Sequence, residues 1–598
     1  MSTATTSRAD TGARSGPALV VGVWRGRYLQ FAGQQFVLLA APARSGKGVG
    51  IVVPNLLSYP DSVVVLDIKQ ENFNLTAGFR QAHGQDVYLF NPFAEDGRTH
   101  RYNPLSAISA GVFRVGDILA IGYALYPVGG HDDFWKDQAR NLFLGIVLLL
   151  CEWHDARRSG NREVPDCPVT MGEVLRQSSG NGMPVKTYLQ QAVLQHRRLL
   201  SGACIDALNR FLANDDKVLA SILATFNAPL TIWANPIVDA ATSANDFDLR
   251  DVRKRRMSVY VGITPDHLTE AALLVNLVFS QLVNLNTKEL PQDNPALKVQ
   301  CLLLMDELTS VGKIHIIARA VAYMAGYDLR LLSIVQSASQ LESVYGRADA
   351  RTFVTNHAMQ IIYAPREQRD ANEYSEMLGT FTDRSRSVSR SNAIFGGRGG
   401  SSESFSEQRR PLLLPQELKE LGRDKEIILL ENTKPILADR ICYWRDPVFT
   451  SRLTAAPAIP AIDLVRFTAQ IDRRLRDVQP DEVDEAGVMQ LPPEYLEVLQ
   501  AWDPRDLPAH LMDISDEDAA AYVERHLMLV GVPVEHIARA SRRLSTSDLD
   551  VAELRPADAT PRRKRPRGAG GTRAKSGGRA SSRATGGSNV VPLHGDRR

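Results

Sequence analysis

Short, continuous runs of apolar residues alternate with amphipathic segments along much of this chain of 598 residues. Such runs are typical of strands that are buried on both faces of a sheet. Strands that alternate with helical segments indicate an α/β fold with a mainly parallel sheet, whose ligands bind beyond the carboxyl ends of the strands. The predicted strands are 36–40, 62–67, 87–90, 257–263, 299–305, 329–336, 360–363 and 426–430, preceded by a hairpin over 18–24 and 27–31.

The pattern changes to helical periodicity, with few strand candidates, between 108 and 246. Long insertions of this kind commonly form separate lobes, so we expect an inserted all-α lobe at 108–246. It would divide the sheet domain into a first part, 17–107, and a second part, 247–470. Within the second part, 384–410 is rich in Ser, Gly and Arg and predicts a flexible loop.

Charge is distributed unevenly, although the net charge is only +2. The segment 557–598 holds 11 of the 70 Lys and Arg residues and two of the 68 Asp and Glu residues, which leaves 59 basic and 66 acidic residues elsewhere. We expect 556–598 to be a disordered basic tail that either aids solubility or attracts nucleic acid or anionic lipid. Residues 1–16 are also expected to be disordered, and 471–555 to form a helical, acidic extension.

Hydropathy gives no sign of a membrane span or a secretory signal. The longest unbroken apolar run, 142–151, is about half of the ~20 residues that a bilayer requires. The first 16 residues lack the apolar core of a signal peptide. The five cysteines are far apart and show no C-x-x-C pairing, which fits a reducing compartment.

The segment 41–48, Ala-Pro-Ala-Arg-Ser-Gly-Lys-Gly, connects a predicted buried strand to a predicted helix. A loop of small residues at a helix N-terminus directs backbone N–H groups toward one point, where phosphate binds. Against the pattern G-x-x-x-x-G-K-[ST], the chain keeps Gly46 and Lys47, but has Ala41 first and Gly48 in place of the hydroxyl residue that helps to hold Mg²⁺. The alternative is a glycine-rich turn with a solvated lysine. The residues expected to contact a nucleotide are Ala43, Arg44, Ser45, Gly46, Lys47, Gly48 and Val49.

Two carboxylates, Asp306 and Glu307, follow the predicted buried strand 299–305. In a Walker B site, the first would bind Mg²⁺ directly or through water, and the second would polarise the attacking water. Alternatively, one of them caps a helix that begins near Leu308. Gln336, at the tip of another strand, could sense a γ-phosphate or position water, or could be a surface residue. Three charged residues expected on the same rim form either an exposed, self-paired cluster or a functional group: Asp67, Lys69 and Glu71.

Taken together, these motifs resemble those of the TraG-like coupling proteins of type IV secretion and conjugation systems. The resemblance implies a RecA-like P-loop ATPase domain with an inserted all-α lobe, which binds ATP and Mg²⁺ and assembles as a homo-hexamer. Lys47 would be the phosphate lysine, Asp306 and Glu307 the Walker B pair, and Gln336 the sensor. The matching segments are 41–50, Asp67-Ile-Lys, Tyr102-Asn-Pro-Leu, Phe134-Trp-Lys, Leu304-Met-Asp-Glu and 336–346, Gln-Ser-Ala-Ser-Gln-Leu-Glu-Ser-Val-Tyr-Gly.

The resemblance also implies partners: single-stranded DNA with a bound relaxase, or a secreted protein, and inner-membrane components of the secretion system. Ring ATPases complete each site with an arginine of the neighbouring subunit, for which Arg330, Arg366 and Arg369 are candidates. Such proteins usually begin with transmembrane helices. Because the hydropathy of this chain gives no sign of a membrane span, we expect a protein at the cytoplasmic face of the bacterial inner membrane that is attached peripherally or is a truncated form. Alternatives are a nucleotide-gated docking platform without motor activity, and a soluble DNA-translocating ATPase unrelated to secretion.

Overall fold

An eleven-stranded sheet and a separate two-stranded hairpin account for the thirteen strands in the described residues, which are 17–129, 132–390 and 401–475 of a computed structural model. The predictions for the N-terminal 16 residues, for the basic tail and for nearly all of the acidic extension lie outside these residues. The strands are β1 (Ala18–Trp24), β2 (Arg27–Ala32), β3 (Val37–Ala40), β4 (Ser62–Ile68), β5 (Asp86–Phe90), β6 (Met257–Ile263), β7 (Cys301–Met305), β8 (Leu329–Val335), β9 (Met359–Ile362), β10 (Thr380–Arg390), β11 (Ser401–Pro411), β12 (Lys425–Leu430) and β13 (Ile436–Asp439).

The main sheet has the strand order β2-β1-β13-β12-β9-β3-β8-β7-β4-β6-β5. From β9 to β5 all neighbours are parallel, whereas β12, β13, β1 and β2 extend one side by antiparallel pairing. The prediction of a mainly parallel α/β sheet is therefore confirmed. β13 was not predicted, because only Ala438 among its four residues is buried and the apolar pattern is correspondingly weak.

Helices cover the parallel part of the sheet and fill the chain between β5 and β6. The long helix α4 packs against α3, α7 and α8, and its apolar centre is buried. The helices are α1 (Val53–Leu56), α2 (Glu71–Ala82), α3 (Arg114–Leu125), α4 (Asp133–Arg158), α5 (Met171–Ser178), α6 (Val185–His196), α7 (Gly202–Leu212), α8 (Asp216–Leu230), α9 (Pro236–Ala241), α10 (Leu268–Asn286), α11 (His315–Ala320), α12 (Ala338–Tyr345), α13 (Arg347–Thr355), α14 (Gln368–Leu378), α15 (Pro415–Lys419), α16 (Pro447–Thr450) and α17 (Leu464–Leu475).

The predicted flexible loop 384–410 differs from the structure. Its described residues belong to β10 and β11, which pair along their full length as an antiparallel hairpin. Cross-strand ion pairs join Arg384 to Glu407 at 3.0 Å, and Arg386 to Glu403. Because the strands lack alternating apolar residues, periodicity in the sequence does not reveal them.

Two helical segments, Asp216–Ala234 and Pro265–Asn286, are long and apolar enough to cross a membrane by length and composition. This differs from the expectation that no such segment exists, which considered only unbroken apolar runs. The signal is weak, because a core helix of a folded domain passes the same test. Leu274 and Phe279 of the second segment indeed lie in the hydrophobic core.

Candidate functional site

The loops that follow β3 and β7 meet at the carboxyl edge of the sheet. Lys47 Nζ, at the start of the helical turn after β3, lies 2.8 Å from Glu307 Oε1 and 3.5 Å from Asp306 Oδ1. The structure thus brings Lys47 to the adjacent pair Asp306 and Glu307, although Lys47 and Glu307 are 260 positions apart in the sequence. All three side chains are partly shielded from solvent: the exposed fraction is 12% for Lys47, 16% for Asp306 and 29% for Glu307.

Gln336 follows β8, the strand between β3 and β7. In the parallel register Ala40 lies beside Val335, and the Ala41 N–H donates to the Val335 carbonyl at 2.9 Å. The half-buried Gln336 is therefore at the same edge as the phosphate-loop candidate.

The loop 41–48 has the backbone features of an anion site. Gly46 has a φ of +87°, which glycine adopts without steric penalty, and its carbonyl accepts a hydrogen bond from the Gly50 N–H at 3.0 Å. A wide, π-type helical turn then begins at Gly48. Ala41 is buried, whereas residues 43–49 remain at least partly exposed. The N–H groups at the start of this turn are available to an anion.

Asn72 connects the site to the end of β4. Its side-chain amide donates to Asp306 Oδ2 at 3.3 Å, and its backbone N–H donates to Asp67 Oδ1 at 3.2 Å. The Phe73 N–H donates to the other Asp67 oxygen at 2.7 Å. Asp67 is fully buried, so it does not belong to an exposed, self-paired cluster; β4 continues to Ile68 and carries Asp67 within the strand. Its role is to hold the start of α2, while Lys69 and Glu71 are exposed.

Burial shapes the charge states of the carboxylates. It raises the pKa of Asp67 to about 7, even though two backbone N–H groups act in the opposite direction. Burial also raises the pKa of Asp306, against the charge of Lys47. For Glu307, burial is outweighed by the hydrogen bond and charge of Lys47, so the pKa of Glu307 is lowered. Glu307 is thus the most readily ionised of the three carboxyl groups.

The Glu307 carboxylate does not cap a helix. It accepts from Lys47 and, at 3.3 Å, from the Ser310 hydroxyl, while only its backbone carbonyl accepts the Ser310 N–H. Its φ of +57° lies in the left-handed region, and Arg44, Lys69 and Gln70 on the neighbouring loops share that conformation. Strained backbone of this kind concentrates at functional sites.

The residues present fit a hard cation such as Mg²⁺. Asp306 Oδ1 is buried, lies 3.5 Å from Lys47 Nζ and makes no hydrogen bond within the described part of the protein. A carboxylate oxygen in this situation is a suitable ligand for Mg²⁺. A Cβ atom added at Gly48 would meet nothing within 4 Å, so the space of the usual hydroxyl ligand is open.

Three further residues near the loop have no local signal in the sequence. The guanidinium group of Arg440 stacks on the ring of Tyr363, 3.7 Å from its centroid, and donates to the carbonyl of Ser45. Beside it lies the buried carboxylate of Glu426. Because Arg440 is 395 positions from Ser45, no motif spacing indicates the contact.

Burial distinguishes the three candidates for an arginine that acts on a neighbouring subunit. Arg330 is fully buried and donates to the carbonyls of Pro17, Phe31 and Gln35 at 2.8, 2.9 and 3.0 Å. It is therefore a structural residue, and its prediction as a candidate was wrong, because β8 is buried on both faces.

The other two arginines remain available. Arg366 is exposed and follows β9, the neighbour of β3 on the side away from β8. Arg369 is exposed too and forms an ion pair with Glu342 at 2.8 Å. Because both side chains are exposed, both stay candidates.

The family model described as type IV secretory system conjugative DNA transfer matches residues 3–461. The chain belongs to this family. It is 32% identical to the protein VirD4 of Agrobacterium fabrum over 428 residues, which are 71% of this chain and 61% of VirD4. It is 29% identical to the conjugal transfer protein TraG of Escherichia coli over 484 residues, which are 76% and 74% of the two chains. The chain thus spans about three-fifths of the length of the VirD4 relative.

The fold is also that of a solved coupling protein. The bacterial conjugative coupling protein TrwBdeltaN70, in its unbound monoclinic form, superposes with a TM-score of 0.51 at 17% identity. The match covers 73% of this chain and 91% of that protein. The prediction of a TraG-like coupling protein with an α/β, RecA-like domain is confirmed by the family match and by this fold.

Proposed function

We propose that the chain is an ATP-hydrolysing coupling protein that recruits DNA–relaxase or protein substrates and delivers them to a type IV secretion channel. The observation that carries this proposal is the position of Lys47 Nζ, 2.8 Å from Glu307 and 3.5 Å from Asp306. A lysine on a phosphate loop that faces two carboxylates at a strand end provides the positioning and charge that phosphoryl transfer requires. The relatives, named VirD4 and conjugal transfer protein TraG, support the coupling role.

In this proposal, residues 43–49 surround the phosphates of ATP, and Lys47 contacts the outer phosphates. Asp306 would hold Mg²⁺ directly or through water, and the metal would supply charge neutralisation for the phosphates. Asn72 donates to Asp306 Oδ2 and leaves Oδ1 without a hydrogen bond. Asn72 therefore orients the carboxylate that would hold the metal.

Glu307 would be the general base. Its ion pair with Lys47 holds it in the ionised form, and contact of Lys47 with a phosphate would release the carboxylate toward water. Gln336 would position that water or sense the γ-phosphate. Hydrolysis thus depends on Lys47 changing partner, which couples nucleotide binding to activation of the base.

Glu307→Gln tests the assignment of the base. We expect this variant to bind ATP with an affinity close to wild type, and to hydrolyse it about 10²–10⁴-fold more slowly, because an amide accepts no proton. The matched control is Glu420→Gln, on an exposed glutamate after α15. Wild-type turnover in Glu307→Gln would remove Glu307 from this role.

We further propose a homo-hexameric ring at the cytoplasmic face of the inner membrane, in which Arg366 or Arg369 completes the neighbouring site. Steady-state ATPase activity, measured against protein concentration with and without single-stranded DNA, tests this assembly. The expected rate rises more than linearly with concentration, increases with DNA, and is lost in Lys47→Ala. Activity that is indifferent to concentration would contradict a site built between subunits.

The docking platform without motor activity makes a different prediction in the same assay. It binds nucleotide through the same loop, but its turnover does not respond to DNA or to a protein substrate. Membership of the conjugative transfer family disfavours the third interpretation, a DNA-translocating ATPase unrelated to secretion. Substrate-stimulated turnover therefore decides between motor and platform.

A further inference from the structure

Arg440, Tyr363 and Glu426, which are not among the proposed phosphate contacts, form a cluster of side chains beside the loop 41–48. Arg440 comes directly after β13, Tyr363 directly after β9, and Glu426 lies in β12. β12 and β13 belong to the antiparallel side of the sheet, and β9 is the neighbour of β3. The cluster therefore connects that side of the sheet to the loop.

Arg440 is held firmly by this cluster. Its Nη1 donates to the Arg423 carbonyl at 2.6 Å, and its backbone N–H donates to the Asp424 carbonyl at 2.9 Å. Its guanidinium plane covers the ring of Tyr363, an arrangement that favours a cation. The adjacent Glu426 is fully buried and makes no hydrogen bond through either carboxylate oxygen in the described residues. Burial raises the pKa of Glu426 to about 8, while the charge of Arg440 acts in the opposite direction.

Of the other two guanidinium nitrogens, Nη2 donates to the carbonyl of Ser45, and the buried Nε makes no hydrogen bond in the described residues. In a planar, trans peptide the C=O and N–H bonds point in opposite directions. A hydrogen bond that fixes the Ser45 carbonyl toward Arg440 therefore fixes the Gly46 N–H on the side away from Arg440, which is the side that we assign to the phosphates. Without this bond the 45–46 peptide could rotate, since glycine accepts most backbone conformations.

The glycines of the segment are matched to this support. An added Cβ at Gly46 would lie 2.6 Å from Arg440 Nη2, and one at Gly50 would lie 2.5 Å from the Tyr363 hydroxyl. The lack of a side chain at both positions thus permits the cluster to approach the loop backbone. At Gly46 this requirement is separate from the positive φ.

We propose that Arg440 is a positioning residue for nucleotide binding, which acts by orienting the Ser45–Gly46 peptide so that its N–H group faces the phosphates. This inference rests on the proposed function, because it assumes that the loop binds a nucleotide. Arg440 itself contacts the loop from outside and takes no part in the chemical step. Its removal should therefore raise the KM for ATP with little change in kcat.

The test compares Arg440→Met with a matched control, Arg452→Met. Arg452 makes the same two kinds of contact. Its guanidinium lies 5.5 Å from the ring centroid of Phe79, and it donates a 2.7 Å hydrogen bond to the carbonyl of Leu57, which follows α1 and is not part of the loop 41–48. The measurements are the Kd for ADP with Mg²⁺, the KM and kcat for ATP, and the urea midpoint. We expect Arg440→Met to weaken ADP binding about tenfold or more, corresponding to the loss of one charged hydrogen bond, and Arg452→Met to bind as wild type.

Arg440→Lys should restore part of the affinity, because a lysine retains the charge and one donor. Wild-type ADP affinity and KM in Arg440→Met would overturn the inference, as would equal losses in Arg452→Met. If Arg440→Met does not fold, Arg440→Gln, which is too short to reach from the Tyr363 ring to Ser45, is judged by the same criteria. Failure of the wild-type protein itself to bind ADP would instead contradict the proposed function.

Discussion

Gly48 is a position at which one side chain can be added to the site without displacing its neighbours. A Cβ atom there meets nothing within 4 Å, and the residue begins a helical turn in ordinary right-handed conformation. Serine is also the better helix former, by roughly 0.5 kcal/mol. We therefore expect Gly48→Ser to leave the free energy of unfolding unchanged or to raise it by up to about 0.5 kcal/mol.

The hydroxyl of Gly48→Ser would stand where this class of loop normally offers an oxygen to Mg²⁺. Exchange of a metal-bound water for a protein oxygen is expected to contribute about 1.4 kcal/mol, the net scale of one good polar interaction, which corresponds to about tenfold in Mg²⁺ affinity. In a titration of ATPase rate against Mg²⁺, the half-maximal concentration should fall by about that factor.

The control for this experiment is Gly48→Ala, which adds the same Cβ atom without the hydroxyl. It should keep the Mg²⁺ requirement of the wild type and its urea midpoint should be at least as high. An identical Mg²⁺ requirement in both variants would refute the placement of the metal beside position 48. A loss of more than about 1 kcal/mol in stability would refute the open space inferred there.

Three further predictions concern ionisable side chains that are buried or partly shielded from solvent. Lys47→Met should abolish ADP binding and destabilise the nucleotide-free protein by about 1–3 kcal/mol in urea, since it leaves two shielded carboxylates without their cation. Burial lowers the pKa of His357 to about 4, so the unfolded chain binds more protons between that value and pH 6.5, and up to about 3 kcal/mol of stability should be lost as pH falls through this range. Arg330→Met should destabilise the protein by about 2–4 kcal/mol, because three backbone carbonyls lose their donor, without changing the KM of the folded fraction.

Each of these predictions has a control. Lys419→Met, on an exposed lysine, should bind ADP as wild type. His357→Gln should flatten the dependence of the urea midpoint on pH, and an unchanged slope would show that other groups govern the acid limb. Arg369→Met removes an exposed ion pair and should change stability by less than about 1 kcal/mol. An equal loss in Arg369→Met and Arg330→Met would contradict the structural role of Arg330.

The predictable part of the fold follows from burial on both faces of the strands. β4, β7 and β8 are mainly apolar in the sequence, and each has every residue buried. β13 and the β10–β11 hairpin were not recognised, because β13 has a single buried residue and the hairpin strands lack alternating apolar residues. Periodicity records which residues are buried and contains little information on an exposed strand.

The residues of the candidate site also fall into a group that could be predicted from the sequence and a group that could not. Lys47, Asp306 and Glu307 could be predicted because each lies in a recognisable local pattern that follows a buried strand. Asn72 and Arg440 could not be assigned a role, since their contacts, to Asp306 and Ser45, depend on how distant loops meet. Arg330 shows the converse error, in which a chemically suitable residue was taken as functional although its strand is buried.

The strand order has a consequence for synthesis on the ribosome. β3 is one of the first strands to be made, yet both of its neighbours, β8 and β9, are made roughly 300 residues later. At about 5–20 residues per second, β3 waits some 15–60 s for its first partner. Arg440, which fixes the phosphate loop, emerges later still. Nascent chains of this protein should therefore expose apolar strands for tens of seconds, bind chaperones during that interval, and reach full nucleotide affinity only when translation has passed β13.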